Sequence, residues 1–371
     1  MDITETIKYY RSYKYFCRRC LGYKDMNFIH AEMCDFIQNS KLKSKLILMP
    51  RYTFKSSLIT IGYSLWNIVR NPDIRILIYS DSATKAQGFL DGIKNHILGK
   101  SVNATFRDVF GEIETNPQTG KWNDSQVIIA TRRRPQVEPT VDTAGIESTK
   151  VGMHYDLIIF DDIVSDVNVT TKSQMDKVYD CYKKSLSLLR PGGEIVITGT
   201  RWHYGDTYGR IIDDNKEYKH FDLYIKDAEE RIGGELIFSN VGDQSLNETF
   251  LAEKRRDQGS YLYSCLYRNS PTSDETCIFK PEKFAFYEPF KDFHKNLFIS
   301  ATCDPAGEGE DFTAIVVAGY DSVKNMYLLD AVNEHLKPDQ IVERIIRLNY
   351  IWEFDKFGIE NNFYRGMLER E

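Results

Sequence analysis

No stretch of the sequence approaches the roughly 18–20 uncharged apolar residues that a membrane span needs, and the N-terminal MDITETIKYY lacks the apolar core of a signal peptide. The chain therefore reads as soluble and intracellular. Cysteine is sparse and odd in number. Seven, scattered over 371 residues, suit a reducing compartment better than a disulfide framework. Cys17 and Cys20 form a CxxC, but no second pair follows at zinc-site spacing, so packing of an N-terminal helix is the simpler reading. Positive charge is not in excess either: a net charge of −6 argues against uniform coating of nucleic acid and leaves room only for local basic surfaces. The clusters Lys41, Lys43 and Lys45, Arg132 to Arg134, Lys183 and Lys184, and Lys254 to Arg256 each read singly as a solvated face. Internal repeats and low-complexity tracts are missing.

What is present is an alternation of short apolar runs and amphipathic segments. Helical spacing covers 4–39, followed by strand 45–49, helix 56–70, strand 74–79, helix 83–98, strands 126–130 and 156–160, helix 171–189 and strand 194–199. Continuous apolar strands separated by helices predict an α/β fold: a parallel sheet covered on both faces, with ligands at the carboxyl ends of its strands. Residues 205–268 are mixed, with a strand at 221–226 and helices within 246–268. The stretch 269–296 has prolines, charges and no period, and reads as a linker. Beyond it come strands 297–303, 312–320 and 325–332, a helix at 338–352 and a strand at 356–360. The expected units are thus an N-terminal helical and sheet core over 1–204, a small subdomain over 205–268, the linker, and a second α/β domain over 297–371.

One absence inside the first unit is the most informative. Residues 46–57, LILMPRYTFKSS, have the strand, turn, Lys-Ser and helix layout of a phosphate-binding loop, yet Met49 and Phe54 stand where G-x-x-x-x-G-K-[ST] wants glycine. Either this is a nucleotide site without its glycines or a strand-to-helix turn that contains a lysine. A second strand end bears on the choice. Leu157 to Phe160 lead into Asp161-Asp162, supplying a carboxylate for magnesium beside a Ser hydroxyl and another to orient water at a γ-phosphate. A third, in EIVITGTRWHYGD, brings Thr198, Gly199, Thr200 and Arg201, placed to sense that phosphate and pass its state onward. Each ending alone also fits an ordinary strand stopping in solvent.

Taken in order, these motifs resemble the large terminase subunit of tailed bacteriophages, the ATPase–nuclease that drives DNA into a procapsid. Pro50, Arg51, Lys55 and Ser56 match that family's P-R-x-x-x-K-[ST] loop, Leu157 to Asp162 its acidic strand, and TGTRWH at 198–203 its coupling motif. HAEMCDFIQ upstream and the segment 250–271 downstream are similar to the family's flanking helices. The resemblance implies a P-loop NTPase of the RecA/ASCE-like kind and then an RNase H-like α/β domain, incomplete here. It implies ATP held along Arg51, Tyr52, Thr53, Phe54, Lys55, Ser56 and Ser57, with Lys55 at the β- and γ-phosphates. Mg2+ is then held by Ser56 and Asp161, and Asp162 orients the attacking water. Backbone N–H groups and a helix N-terminus bind phosphate whatever the side chains, and Arg51 adds a cation. Phe54 beside Lys55, and aspartate in place of glutamate at 162, depart from the pattern.

The resemblance also implies a homo-oligomeric ring on a portal protein, a small terminase subunit and double-stranded DNA as partners, and a place in the cytoplasm of the infected host, outside the virion and away from any membrane. In such rings a neighbouring subunit often lends an arginine. Arg132, Arg133 and Arg134 are candidates, and equally fit a DNA-facing loop. In the second domain Asp304 and Glu360 match the first two ligands of a two-metal nuclease site for Mg2+ or Mn2+, with Asp311 an auxiliary acid. The family's third aspartate normally lies well beyond the second, and the sequence ends at Glu371, so the expectation is a compromised nuclease. Two other readings stand beside this one. A helicase-like DNA translocase would need a second RecA-like sheet, which the strand order after 296 does not supply. A non-hydrolysing nucleic-acid adaptor with a decayed loop is suggested by the missing glycines.

Overall fold

Successive residues of a strand point to opposite faces, so a strand covered on both sides is apolar without interruption. In the computed structural model the central strands of the first unit do this: Leu46, Leu48, Leu77, Tyr79, Ile158, Phe160, Ile195 and Ile197 pack in one core, and Ile47, Ile76, Ile78, Leu157, Ile159 and Val196 in the other. The structure describes residues 3–102, 104–115, 120–148, 150, 152–239, 245–271, 297–305 and 312–360. The chain divides into two units, Met1–Lys280 and Pro281–Glu371. Of the stretch read as a linker, only 269–271 lies among the described residues.

The first unit is built on β1 (Ser44–Leu48), β2 (Ile76–Ser80), β3 (Gln126–Val127), β4 (Val141–Gly145), β5 (Tyr155–Asp161), β6 (Leu189–Gly199) and β7 (Asp222–Ile225). They form one sheet in the order β3-β4-β2-β5-β6-β1-β7, parallel except for the edge pair β3 and β4. One face is covered by α1 (Ile3–Arg11), α2 (Phe28–Asn39), a π-helical segment Ser57–Gly62 that runs into α3 (Tyr63–Arg70), α4 (Ala83–Ile97) and α5 (Phe106–Phe110). The other is covered by α6 (Lys172–Ser185) and α7 (Thr207–Tyr218). A small hairpin, β8 (Arg231–Ile232) with β9 (Glu235–Leu236), precedes α8 (Glu248–Arg268), which kinks at Gly259, where φ is 76°.

Several expectations change. Lys45 is not a solvated cation: it is buried, with Nζ 2.7 Å from Glu194 Oε1, an oxygen that also accepts from the Tyr63 hydroxyl at 2.8 Å. The strand read over 126–130 ends at Val127, because the next amides are satisfied elsewhere. Ile128 N donates to Lys121 O, Ile129 N to Thr140 Oγ1 and Ala130 N to Ile113 O. Helical structure over 4–39 breaks between Cys20 and Phe28, and Cys17 and Cys20 are fully buried core residues. Among the described residues no cluster of three His, Cys, Asp or Glu could hold a metal, and no helix is long and apolar enough to cross a membrane.

The second unit holds β10 (Phe298–Asp304), β11 (Thr313–Tyr320), β12 (Met326–Glu334) and β13 (Lys356–Ile359) in the order β12-β11-β10-β13, with α9 (Pro338–Trp352) before the last strand. β11 runs antiparallel to both β10 and β12, and β13 lies parallel to β10. Ile341 and Leu348 of α9 close a small core over Ala301, Cys303, Ile315, Val317 and Val332.

Candidate active site

Because β1, β2, β5 and β6 are parallel, Met49, Ser80, Asp161 and Thr200 all fall at one end of the sheet. The turn after β1 cannot close in ordinary right-handed backbone. Tyr52 and Phe54 take left-handed φ of 64° and 55°, and Asp162 on the neighbouring turn takes 48°. Non-glycine residues rarely adopt this region, which costs each of the order of 1 kcal/mol or more. Thr53 sits between the two, buried, its hydroxyl donating to Pro50 O at 2.6 Å. The helix then begins: its first bond is Leu58 N to Phe54 O at 3.0 Å, so the amides of Lys55 to Ser57 precede the helical ladder, as at any helix start.

The side chains converge on the acidic pair. Lys55 is buried, with Nζ 3.4 Å from Asp162 Oδ1, an oxygen that among the described residues has no hydrogen-bond partner and is held by this ion pair. Asp161 is fully buried and accepts from the Ser56 hydroxyl at 3.0 Å and from the Thr60 hydroxyl. Ser80 Oγ, from the end of β2, donates to the Asp161 carbonyl at 2.8 Å. Burial, and then the neighbouring Asp162, push the Asp161 carboxyl up to about 7, against the pull of Thr60, Lys55 and Ser56. The sequence thus anticipated Lys55, Ser56, Asp161 and Asp162, and the structure brings these four together. Thr60 and Ser80 it missed, although Thr60 lies four residues after Ser56 and faces the same way.

The third strand end forms a separate knot. Arg201 is buried and all its resolved guanidinium contacts lie within its own turn: Nε is 2.9 Å from Asp206 Oδ1, and Nη2 donates to the carbonyls of His203 and Tyr204 at 3.1 and 2.8 Å. Asp206, fully buried, also caps α7 by accepting from Gly209 N at 2.8 Å. Thr198 Oγ1 is buried without a hydrogen-bond partner among the described residues, and Thr200, two positions on, is buried too. Gly199 is obligatory here, because a Cβ would lie 2.3 Å from the Tyr208 hydroxyl. Arg51, exposed, lays its guanidinium 5.3 Å from the Trp202 ring and donates its amide to Leu266 O of α8, joining the loop to this turn and to that helix.

Arg132, Arg133 and Arg134 sit at the opposite end of the strands. Arg132 is tied to Glu138 O and Ile74 O at 2.6 and 3.3 Å, while Arg133 and Arg134 are exposed and donate their amides to Asp73, just before β2. In the second unit Asp304 ends β10 and Glu360 follows β13. The last paired residues are Cys303 and Ile359, and Glu360 N donates to Cys303 O at 2.9 Å, so the two acids end adjacent parallel strands. Both are exposed. Asp311 lies outside the described residues.

No family model matches the chain. A curated relative, the terminase large subunit of Enterobacteria phage T3, is 26% identical over 191 residues, which is 50% of this chain and 30% of that protein. The match therefore spans less than a third of the relative's length. Among solved structures, the large terminase of bacteriophage HK97 aligns over 90% of this chain and 69% of its own at 13% identity, with a TM-score of 0.48. The large terminase of a thermophilic bacteriophage aligns over 98% and 79% at 8% identity, with a TM-score of 0.39. Over about half of its length, then, the chain is a distant sequence relative of a bacteriophage large terminase subunit.

Proposed function

We propose that the first unit is a P-loop ATPase of the RecA/ASCE-like kind that drives double-stranded DNA into a procapsid. The observation that carries this is the meeting of two strand ends. A lysine and a serine at the mouth of a helix face a buried and a half-exposed aspartate, with Ser56 Oγ 3.0 Å from Asp161 Oδ1 and Lys55 Nζ 3.4 Å from Asp162 Oδ1. The donor set fits a nucleotide with magnesium. Asp161 is fully buried with its charge disfavoured, and one oxygen of Asp162 is held, among the described residues, only by Lys55. A divalent cation between hydroxyl and carboxylate would offset both costs.

In this reading the amides of Lys55 to Ser57 and the Lys55 ammonium bind the phosphates, with Arg51 adding a cation at the rim. Ser56 and Asp161 would hold magnesium, which supplies charge at the β- and γ-phosphate oxygens when bound. Asp162, released from Lys55 as that lysine turns to phosphate, orients water. Trp202, stacked on Arg51, ties the loop to the TGTRWH turn, whose role is to couple the site to DNA movement. Arg133 and Arg134 are the exposed pair within reach of a neighbouring subunit in a ring, since Arg132 is spent on two carbonyls. Portal protein, small terminase subunit and DNA are the partners of such a motor. For the second unit we propose an RNase H-like nuclease, supported by the strand order and by Asp304 and Glu360 ending adjacent strands, where together they would hold Mg2+ or Mn2+.

Steady-state ATP hydrolysis tests the reading. Lys55→Ala should lower kcat at least ~100-fold, since loss of one phosphate-charge stabiliser costs roughly 3 kcal/mol. Unchanged turnover in that variant removes Lys55 from the chemistry, and no turnover in the wild type favours a non-hydrolysing adaptor.

A further inference from the structure

The phosphate loop has no glycine, yet its turn holds left-handed backbone on both sides of Thr53, at Tyr52 and Phe54. Something outside the loop must fix it. His30, the third residue of α2, is fully buried and reaches Thr53 from across the core. Its Nδ1 accepts from Asn27 N at 3.1 Å, completing the cap of α2. A ring nitrogen that accepts an N–H carries no proton, so the proton of the neutral ring sits on Nε2 and is donated to Thr53 O at 3.1 Å. Burial lowers the imidazole to about 4, so it is neutral at ordinary pH and this tautomer persists. The ring is held edge-on between Phe54, 5.8 Å away at 85°, and Phe238, 6.4 Å away at 66°.

A trans peptide points its C=O and the following N–H in opposite directions. Holding Thr53 O toward His30 therefore turns Phe54 N–H away from His30, and it cannot flip while the bond stands. We propose that His30 is a positioning residue of the phosphate loop: through Nε2–H it locks the Thr53–Phe54 peptide so that Phe54 N–H is presented to phosphate, replacing the conformational control that glycines give other loops. This rests on the nucleotide reading above. It deepens that reading by assigning the loop's preorganisation to one side chain on α2.

Two variants of the full chain separate the two hydrogen bonds. The amide of His30→Asn stands near the place of Nδ1, keeping the cap on Asn27 N and losing Thr53 O. The amide of His30→Gln reaches the place of Nε2, keeping Thr53 O and losing the cap. Binding of a fluorescent ATP analogue with magnesium, ATP turnover and thermal melting are measured on both, with Lys55→Ala alongside. His30→Asn is expected to raise Kd and KM about tenfold, the ratio that about 1.4 kcal/mol supports, with a smaller change in kcat. His30→Gln is expected to stay within about threefold of wild type despite the lost cap. Wild-type Kd in His30→Asn, or losses in both variants that simply follow Tm, overturns the proposal. If the wild type binds ATP and Lys55→Ala does not, such a result leaves the nucleotide reading intact; a wild type without ATP affinity overturns both. Should neither variant fold, the wild type decides: its His30 Nε2 proton, followed by nitrogen-edited NMR, should shift when ATP analogue and magnesium are added, and an unmoved resonance contradicts the proposal.

Discussion

At the scale of single residues, the turn after β1 takes left-handed backbone without glycine, at Tyr52 and Phe54, while glycine stands where backbone must approach closely. Gly209 is such a place: a Cβ there would lie 2.1 Å from Tyr204 O and 2.6 Å from Arg201 Nη2. Gly209→Ala should destabilise the fold by about 1–3 kcal/mol through this overpacking, read as a drop in denaturation midpoint at constant slope. Two buried imidazoles set a second expectation. Burial lowers His30 and His96 to about 4, while in the unfolded chain each binds its proton near the ordinary value of about 6.5. Between these values the unfolded state holds more protons, so this stability is full above about 6.5 and is lost as pH falls to about 4, by at most about 3 kcal/mol for each ring. Asp161 acts in the opposite sense. Its raised value, about 7, means that its protonated form stabilises the fold at low pH and that this contribution is lost as pH rises through 7. Melting curves from pH 7 to 4 should show a net fall, with a shallower slope in His96→Phe. An equal slope in that variant would remove His96 from the balance.

At the scale of elements, what could be read from the sequence followed from burial on both faces. The runs at 45–49, 74–79, 156–160 and 194–199 lie on β1, β2, β5 and β6, because nothing but apolar side chains fits between two helical layers. Besides the short hairpin β8–β9, the strand missed, β4, reads VDTAG: its Asp142 is fully buried, and accepts from Lys150 at 2.9 Å, the Tyr155 hydroxyl at 2.7 Å and Gln126 at 3.2 Å. A polar residue satisfied by partners distant in sequence leaves no apolar pattern to detect. Lys55, Ser56, Asp161 and Asp162 were legible because each stands at a strand or helix end; His30 was not, since only the tertiary fold brings α2 against Thr53. Arg201 illustrates the same limit. Its sequence position suggested coupling, while its contacts are those of a staple across the turn between β6 and α7. Arg201→Ala leaves the buried Asp206 without its cation, with only the amides of Trp202, His203 and Gly209 donating to it, and should cost about 3 kcal/mol. Urea unfolding measures this, and a loss below about 1 kcal/mol would show that the pair is not structural.

At the scale of the whole molecule, the proposed motor, a chain of net charge −6, would bind DNA through local basic surfaces. Affinity for a DNA duplex should then fall steeply with salt through release of counterions, and a flat response between about 50 and 200 mM salt would count against contacts with the phosphate backbone. If a neighbouring subunit completes the site, the ATPase rate per chain should rise with protein concentration, and Arg134→Ala should remove that rise while leaving the melting temperature unchanged. The central claim is narrower than any of these: a turn without glycine, fixed from outside, presents main-chain amides and Lys55 to a triphosphate while Ser56 and Asp161 hold its magnesium. A crystal grown with a non-hydrolysable ATP analogue and magnesium tests it most directly. The account predicts phosphate density against the amides of Phe54 to Ser57 with the metal beside Ser56 and Asp161; an empty turn, or a metal bound away from Asp161, would contradict it.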